Sequence, residues 1–190
     1  KGSGTMVMLF GTTDGYRKNI RGLLERRLAQ VTEFDERLHR LVARSIEDLP
    51  DYPDDCLNNL SNIEDKALDL IWGKECAGTK KIQQDAINYW TEGDRQTNRM
   101  VADMMHNDCW EIPSDRARQV GLLQLLTGSK QGFDSKAKFV SKNTYVLLNV
   151  IHSFRNRGQH GDGEEMHIGV AVTAITACIE LLACLERELQ

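Results

Sequence analysis

Apolar residues recur at helical spacing almost from end to end of the chain. Ile20, Leu23, Leu24, Leu28 and Val31 form one stripe, and Leu38, Leu41, Val42, Ile46 and Leu49 repeat it after Phe34, predicting one or two amphipathic helices that stop near Pro50. A turn rich in Pro and Asp, 51–55, follows. Leu57, Leu60, Ile63, Ala67 and Ile71 then mark a third helix, with Gly73 as its expected stop. From Lys80 a longer helical segment carries Ile82, Ala86, Tyr89, Trp90, Met100, Val101, Met104 and Met105, and Gly93 is placed to kink or break it.

The second half of the chain is more apolar. Ser114, after Pro113, is a candidate cap for a short helix holding Val120, Leu122, Leu123, Leu125 and Leu126 and closed by Gly128. Ser135 is a candidate cap for the next helix, whose expected core stripe is Phe139, Val146, Leu147, Val150, Ile151 and Phe154, and which Gly158, Gly161 and Gly163 should end. A last helix, 165–189, sets Val172, Ile175, Ile179, Leu182 and Leu189 on one face, with Ala171, Ala174, Cys178 and Leu185 beside it. So wide an apolar surface belongs at a bundle centre or in a dimer interface. No stretch alternates apolar and polar residues as a half-buried strand would, and no internal repeat is visible. The expected fold is an all-α helical bundle in a single domain, 1–190, with Lys1-Gly2-Ser3-Gly4-Thr5 read as a cloning remnant.

Composition adds a compartment and a charge map. Five cysteines without a C-x-x-C pair or zinc-like spacing fit a reduced, cytoplasmic protein, and no cofactor is expected. The run 168–185 is apolar enough to suggest a membrane span, but Glu180 inside it favours a buried core helix, and no membrane partner is expected. The net charge is −4, yet the tract from Lys130 to His160 holds Lys130, Lys136, Lys138, Lys142, Arg155 and Arg157 against Asp134 alone. A cationic stretch in an acidic chain draws a polyanion to one place, although a solvated helix face has the same composition.

The chemistry concentrates at the end of that tract, in Phe154-Arg155-Asn156-Arg157-Gly158-Gln159-His160. An arginine in the last turn of a helix and a histidine in the turn beyond can serve one small volume. Cleaving RNA without a metal requires a proton carrier and a cation to meet charge growing on phosphate. Imidazole titrates near neutrality, and guanidinium offers a permanently charged planar fork, so neither side chain replaces the other.

These residues resemble the R-x4-6-H motif of the HEPN superfamily, whose ribonuclease and toxin members often carry a polar residue such as Asn directly after the Arg. The helix expected over 145–154 before the motif and the long apolar helix after it extend the resemblance over about the last 60 residues, 133–190. Requiring that Asn lowers the chance expectation for the motif in a chain of this composition to about 0.02. The resemblance implies an up-and-down four-helix core, with additional helices on its N-terminal side. It assigns Arg155 to phosphate binding and transition-state stabilisation, Asn156 to positioning and His160 to acid-base catalysis. Arg157 and Gln159 fall on variable positions and are expected to touch RNA, as are Lys138 and Lys142 from the cationic tract. It implies RNA as the partner, a homodimer through the motif-bearing and C-terminal helices, and a cognate inhibitor or antitoxin for a member of toxin type. Non-catalytic members bind RNA, a nucleotide or a partner protein.

Two plainer readings stand beside this one. Arg155 and Arg157 have the placement of helix C-terminal cations that offset the macrodipole, with His160 as a loop residue. His160, Asp162, Glu164 and His167 lie within eight residues but show no recognised metal-ligand spacing, so no metal is expected. Phosphate-binding Gly loops, G-x-S-x-G and H-E-x-x-H are absent from the sequence, which removes the commonest nucleotide, hydrolase and metalloprotease signatures.

Overall fold

The helical periodicity becomes nine α-helices among the described residues of the computed structural model, which are 13–32, 34–49, 52–93, 98–159 and 168–190. They are α1 (Thr13–Leu28), α2 (Glu36–Glu47), α3 (Pro53–Asn58), α4 (Leu60–Glu75), α5 (Gln84–Thr91), α6 (Arg99–His106), α7 (Arg116–Leu126), α8 (Lys142–Gln159) and α9 (Ile168–Leu189). Among those residues a single isolated bridge, Lys81 to Glu111, is the only extended pairing. The chain is an all-α helical bundle.

Four helices close a ring in which each packs on the next: α2 on α4, α4 on α8, α8 on α9 and α9 back on α2. In α2 the residues Leu38, Val42 and Ile46 sit one turn apart and are buried, and Asp35 caps the helix by accepting the Leu38 N–H at 2.8 Å. An ion pair from Lys66 to the same Asp35 carboxylate, at 3.0 Å, ties α2 to α4. Helix α9 is set deep in the bundle. Ala171, Ala174, Ile175, Cys178, Ile179, Leu182 and Leu185 are buried, and the helix touches α1, α2, α3, α4 and α8. It is the one described helix long and apolar enough to cross a membrane, and its apolar surface is spent mainly inside the bundle. Glu180, the charge within that run, receives a two-pronged pair from Arg27 of α1 at 2.7 and 2.8 Å.

The remaining helices lie outside the ring. α1 fits against α2 and α9, α3 closes one end, and α7 packs on α4 and α8. The segment from Lys80 divides at Gly93 (φ +57°) into α5 and α6, as its glycine foretold. α7 is buried on most sides through Val120, Leu122, Leu123, Leu125 and Leu126. It ends at Gly128 (φ +64°), where a Cβ would meet the Ser135 backbone nitrogen at 2.5 Å, so both the angle and the space demand glycine.

Several local expectations are corrected. The α7 cap is Asp115, which accepts the Arg118 N–H, and not Ser114. α4 runs through Gly73 to Glu75, and part of the expected 51–55 turn belongs to α3. The helix expected from Ser135 begins only at Lys142. Residues 138–140 are held off the helical path because the buried Glu75 carboxylate accepts their three backbone N–H groups at 2.9 Å each. Ser141 and Thr144 then take the cap, both bonded to Glu188 of α9. Phe139 and Val146, expected in the core, are exposed, as is Leu23 on α1. Of the expected stripe Ile151 is buried and Leu147, Val150 and Phe154 are partly buried, and Tyr145 and Leu148 complete the α8 core.

Candidate functional site

Helix α4 carries an apolar face of Leu60, Ile63, Ala67, Leu68 and Ile71, and Glu64 stands on it with no exposure at all. A buried carboxylate without partners is severely unfavourable. Its partners come from α8, the helix packed against that face. Glu64 Oε2 accepts from Arg155 Nη1 at 2.9 Å, and Glu64 Oε1 lies 2.7 Å from His152 Nδ1. The two α8 residues are three positions apart, so they share one helix face, and Asn156, four positions after His152, adds a third side chain to it. Asn156 Nδ2 lies 3.2 Å from His152 Nε2.

The hydrogen-bond chemistry fixes how this chain of contacts runs. A carboxylate only accepts, so His152 Nδ1 carries the N–H that is donated to Glu64, and in the neutral ring Nε2 then accepts from the Asn156 amide. One carboxylate therefore receives two donors on separate oxygens, and the guanidinium and the carboxylate offset each other's charge inside the bundle. The Arg155 and His152 side chains are 19% and 15% exposed, while Asn156 lies at the surface. The cluster thus runs from a sealed anion outward to a solvent-facing amide. Arg155 Nε is buried and has no hydrogen-bond partner among the described residues.

Of the sequence-derived candidates, Arg155 and Asn156 are brought together at the C-terminal end of α8. His160 lies outside the described residues, as do Asp162, Glu164 and His167, and the side chains of Arg157 and Gln159 are likewise outside the description. Lys138 and Lys142 are exposed but sit at the other end of α8, about 20 Å away by the helical rise between residues 142 and 155. The cationic tract is therefore divided in space. Lys136, another of its members, stacks on the Tyr89 ring at 4.3 Å.

Two members of the cluster, Glu64 and His152, were not singled out in the sequence. Both left a signal there. Glu64 interrupts an apolar stripe one turn after Leu60 and one turn before Leu68, where a charge has no place without a partner. His152 stands three residues before Arg155 and four before Asn156, the spacing of one helix face. Elsewhere, a cleft of about 630 Å³ opens between α6, α7 and the loop before α7, lined by Arg99, Met100, Met104, Ile112, Pro113 and Arg118 among others. No group of three or more metal-ligating side chains gathers among the described residues. No protein-family model, curated protein or solved structure matches this chain.

Proposed function

We propose that the chain is a HEPN-type, metal-independent endoribonuclease of the kind found in toxin, phage-defence or RNA-processing systems. The observation that carries this reading is Arg155 held by a fully buried glutamate on the helix that leads directly into His160, with Asn156 beside it at the surface. A guanidinium anchored through one nitrogen loses the rotational freedom that makes surface arginines poor catalytic groups, and anchoring of this kind is how sites preorganise charge for a transition state.

In the proposed reaction the 2'-oxygen of one nucleotide attacks the adjacent phosphorus, and the bond from phosphorus to the 5'-oxygen breaks. His160 serves the proton transfers that this needs, removing the 2'-hydroxyl proton or delivering one to the departing 5'-oxygen. Arg155 meets the negative charge that builds on the non-bridging oxygens, and Asn156 positions the substrate. The products are a 2',3'-cyclic phosphate and a 5'-hydroxyl. The reading includes a dimer that faces two such motifs across a two-fold axis, with the Asn156 end of α8, where Asn156 is exposed, turned to the partner.

A second reading has its own support. Arg155 donates to Glu64 and is largely covered, which also suits a guanidinium that stabilises a non-catalytic module for RNA, a nucleotide or a partner protein. Labelled single-stranded RNA incubated with the purified chain in excess chelator separates the two. Cleavage that persists in chelator and falls by about 10²- to 10⁴-fold in both Arg155→Ala and His160→Ala is the expected result. RNA bound and left intact by the wild-type chain would select the module.

A further inference from the structure

The nuclease reading assigns work to Arg155, Asn156 and His160 and leaves Glu64 and His152 without a task. Yet these two groups make the contacts that hold Arg155 and Asn156. Glu64 grips Arg155 at 2.9 Å and His152 at 2.7 Å, and His152 in turn receives the Asn156 amide at 3.2 Å. A packing role alone does not account for this arrangement, because a carboxylate with no solvent exposure stands at a site where leucine would fill the face without a desolvation penalty. The position calls for an anion.

We infer that Glu64 and His152 are positioning residues for the anion-binding element of this site. The buried carboxylate fixes the His152 tautomer with its N–H on Nδ1, and the bare Nε2 then sets which way the Asn156 amide faces. With Nδ2 turned inward to His152, Asn156 presents its other amide atom, the carbonyl oxygen, away from the imidazole. An outward carbonyl is an acceptor, suited to a ribose hydroxyl rather than to a phosphate oxygen. The network thus divides the work between its two arms: Arg155 for phosphate and Asn156 for the 2'-hydroxyl, which narrows the substrate class to ribonucleic acid. This division rests on the nuclease reading, but the tautomer on which it depends does not.

Two measurements on the full chain test the inference. Long-range proton–nitrogen NMR on the histidine-labelled protein reads the His152 ring directly, with its signal assigned by its loss in His152→Gln. The expected state is protonated Nδ1 and bare Nε2. The opposite tautomer overturns the inference whether or not any RNA is cut, so a failure of the nuclease reading and a failure of this one are seen apart.

The second measurement is RNA cleavage by His152→Leu and His152→Gln, each first shown to be folded by its melting transition. Leucine keeps the bulk and removes both hydrogen bonds, whereas glutamine can donate to Glu64 and accept from Asn156. The expected pattern is a fall in kcat of about 10- to 100-fold for leucine, the usual size of loss when an orienting partner is removed, with KM little changed and partial recovery for glutamine. Leucine at the wild-type rate, or leucine equal to glutamine, overturns the inference and leaves Arg155 and His160 as the nuclease pair.

Discussion

Helix α4 carries two buried glutamates three turns apart, and they do different work with the same functional group. Glu75, 4% exposed, gathers three backbone N–H groups from residues 138–140. Glu64, wholly buried, gathers two side chains, an imidazole and a guanidinium. Amide donors can shape a loop, but they carry no titratable or permanently charged group to a reaction. A buried carboxylate is therefore evidence of a site only through what it holds. The Glu75 end of α8 is a structural clamp, and the Glu64 end is where chemistry can occur.

The largest effect should come from cutting the charged end. Glu64→Ala leaves the Arg155 guanidinium without its anion against an apolar helix face, the situation in which breaking a buried pair costs about 3–5 kcal/mol. Urea unfolding of this variant should show that loss. A loss under 1 kcal/mol would mean that Arg155 readily finds solvent, which would remove the basis for calling it anchored.

Glu75→Ala comes next. The three N–H groups it abandons belong to Lys138 and Phe139, both exposed, and to buried Val140, so water recovers part of the bonding. The expected cost is about 2–3 kcal/mol, near that of one or two hydrogen bonds to a charged group. RNA cleavage per folded molecule should stay at the wild-type level. Lost cleavage would blur the distinction between the two ends. The same glutamate also marks its neighbour: the Cys76 thiol is pushed up to about 11, first by burial and then by the adjacent Glu75 charge.

The bundle was legible in the sequence because helical periodicity is a local property, and the stripes of α2, α4 and α9 name the residues with which these helices enter the core. Helix starts were less legible. Ser114 and Ser135 are sound caps by residue type, but Asp115 and the Ser141–Thr144 pair win, the latter because Glu75 and Glu188 reach in from α4 and α9. No local pattern encodes a partner more than 40 residues away. The site divides in the same way. Arg155 and Asn156 were found from a motif within one helix end, whereas Glu64 lies 91 residues from the arginine it holds. Its only trace was a charge on an apolar stripe.

Smaller again is the expected effect of the cationic tract. Lys138 and Lys142 lie at the Glu75 end, about 20 Å of helix from Arg155. Lysines that touch phosphate there should strengthen RNA binding without touching the bond being cut. Lys142→Ala is expected to lower the salt dependence of RNA binding by about one unit of log–log slope and to leave kcat unchanged. A fall in kcat would mean that the two ends of α8 act as one site.

The smallest effect concerns a pair remote from both ends, Arg27 and Glu180, which joins α1 to the centre of the bundle at 2.7 and 2.8 Å. The hydrogen bond from Arg27 outweighs burial and holds the Glu180 carboxyl below its ordinary value, while Arg27 is raised and stays charged at any accessible pH. A depressed carboxyl contributes stability above its unfolded pKa, near 4.5, and loses that contribution as the pH falls through the folded value. Both side chains are 39% exposed, so solvent screens the pair and its worth is about 0.5–1 kcal/mol at neutral pH. Glu180→Gln should therefore unfold at lower urea than the wild type at pH 7, and the gap should shrink from pH 7 to pH 3 as Glu180 begins to take up its proton and to resemble the glutamine. A gap that stays constant between the two pH values would show that the variant acts through packing in α9 rather than through charge.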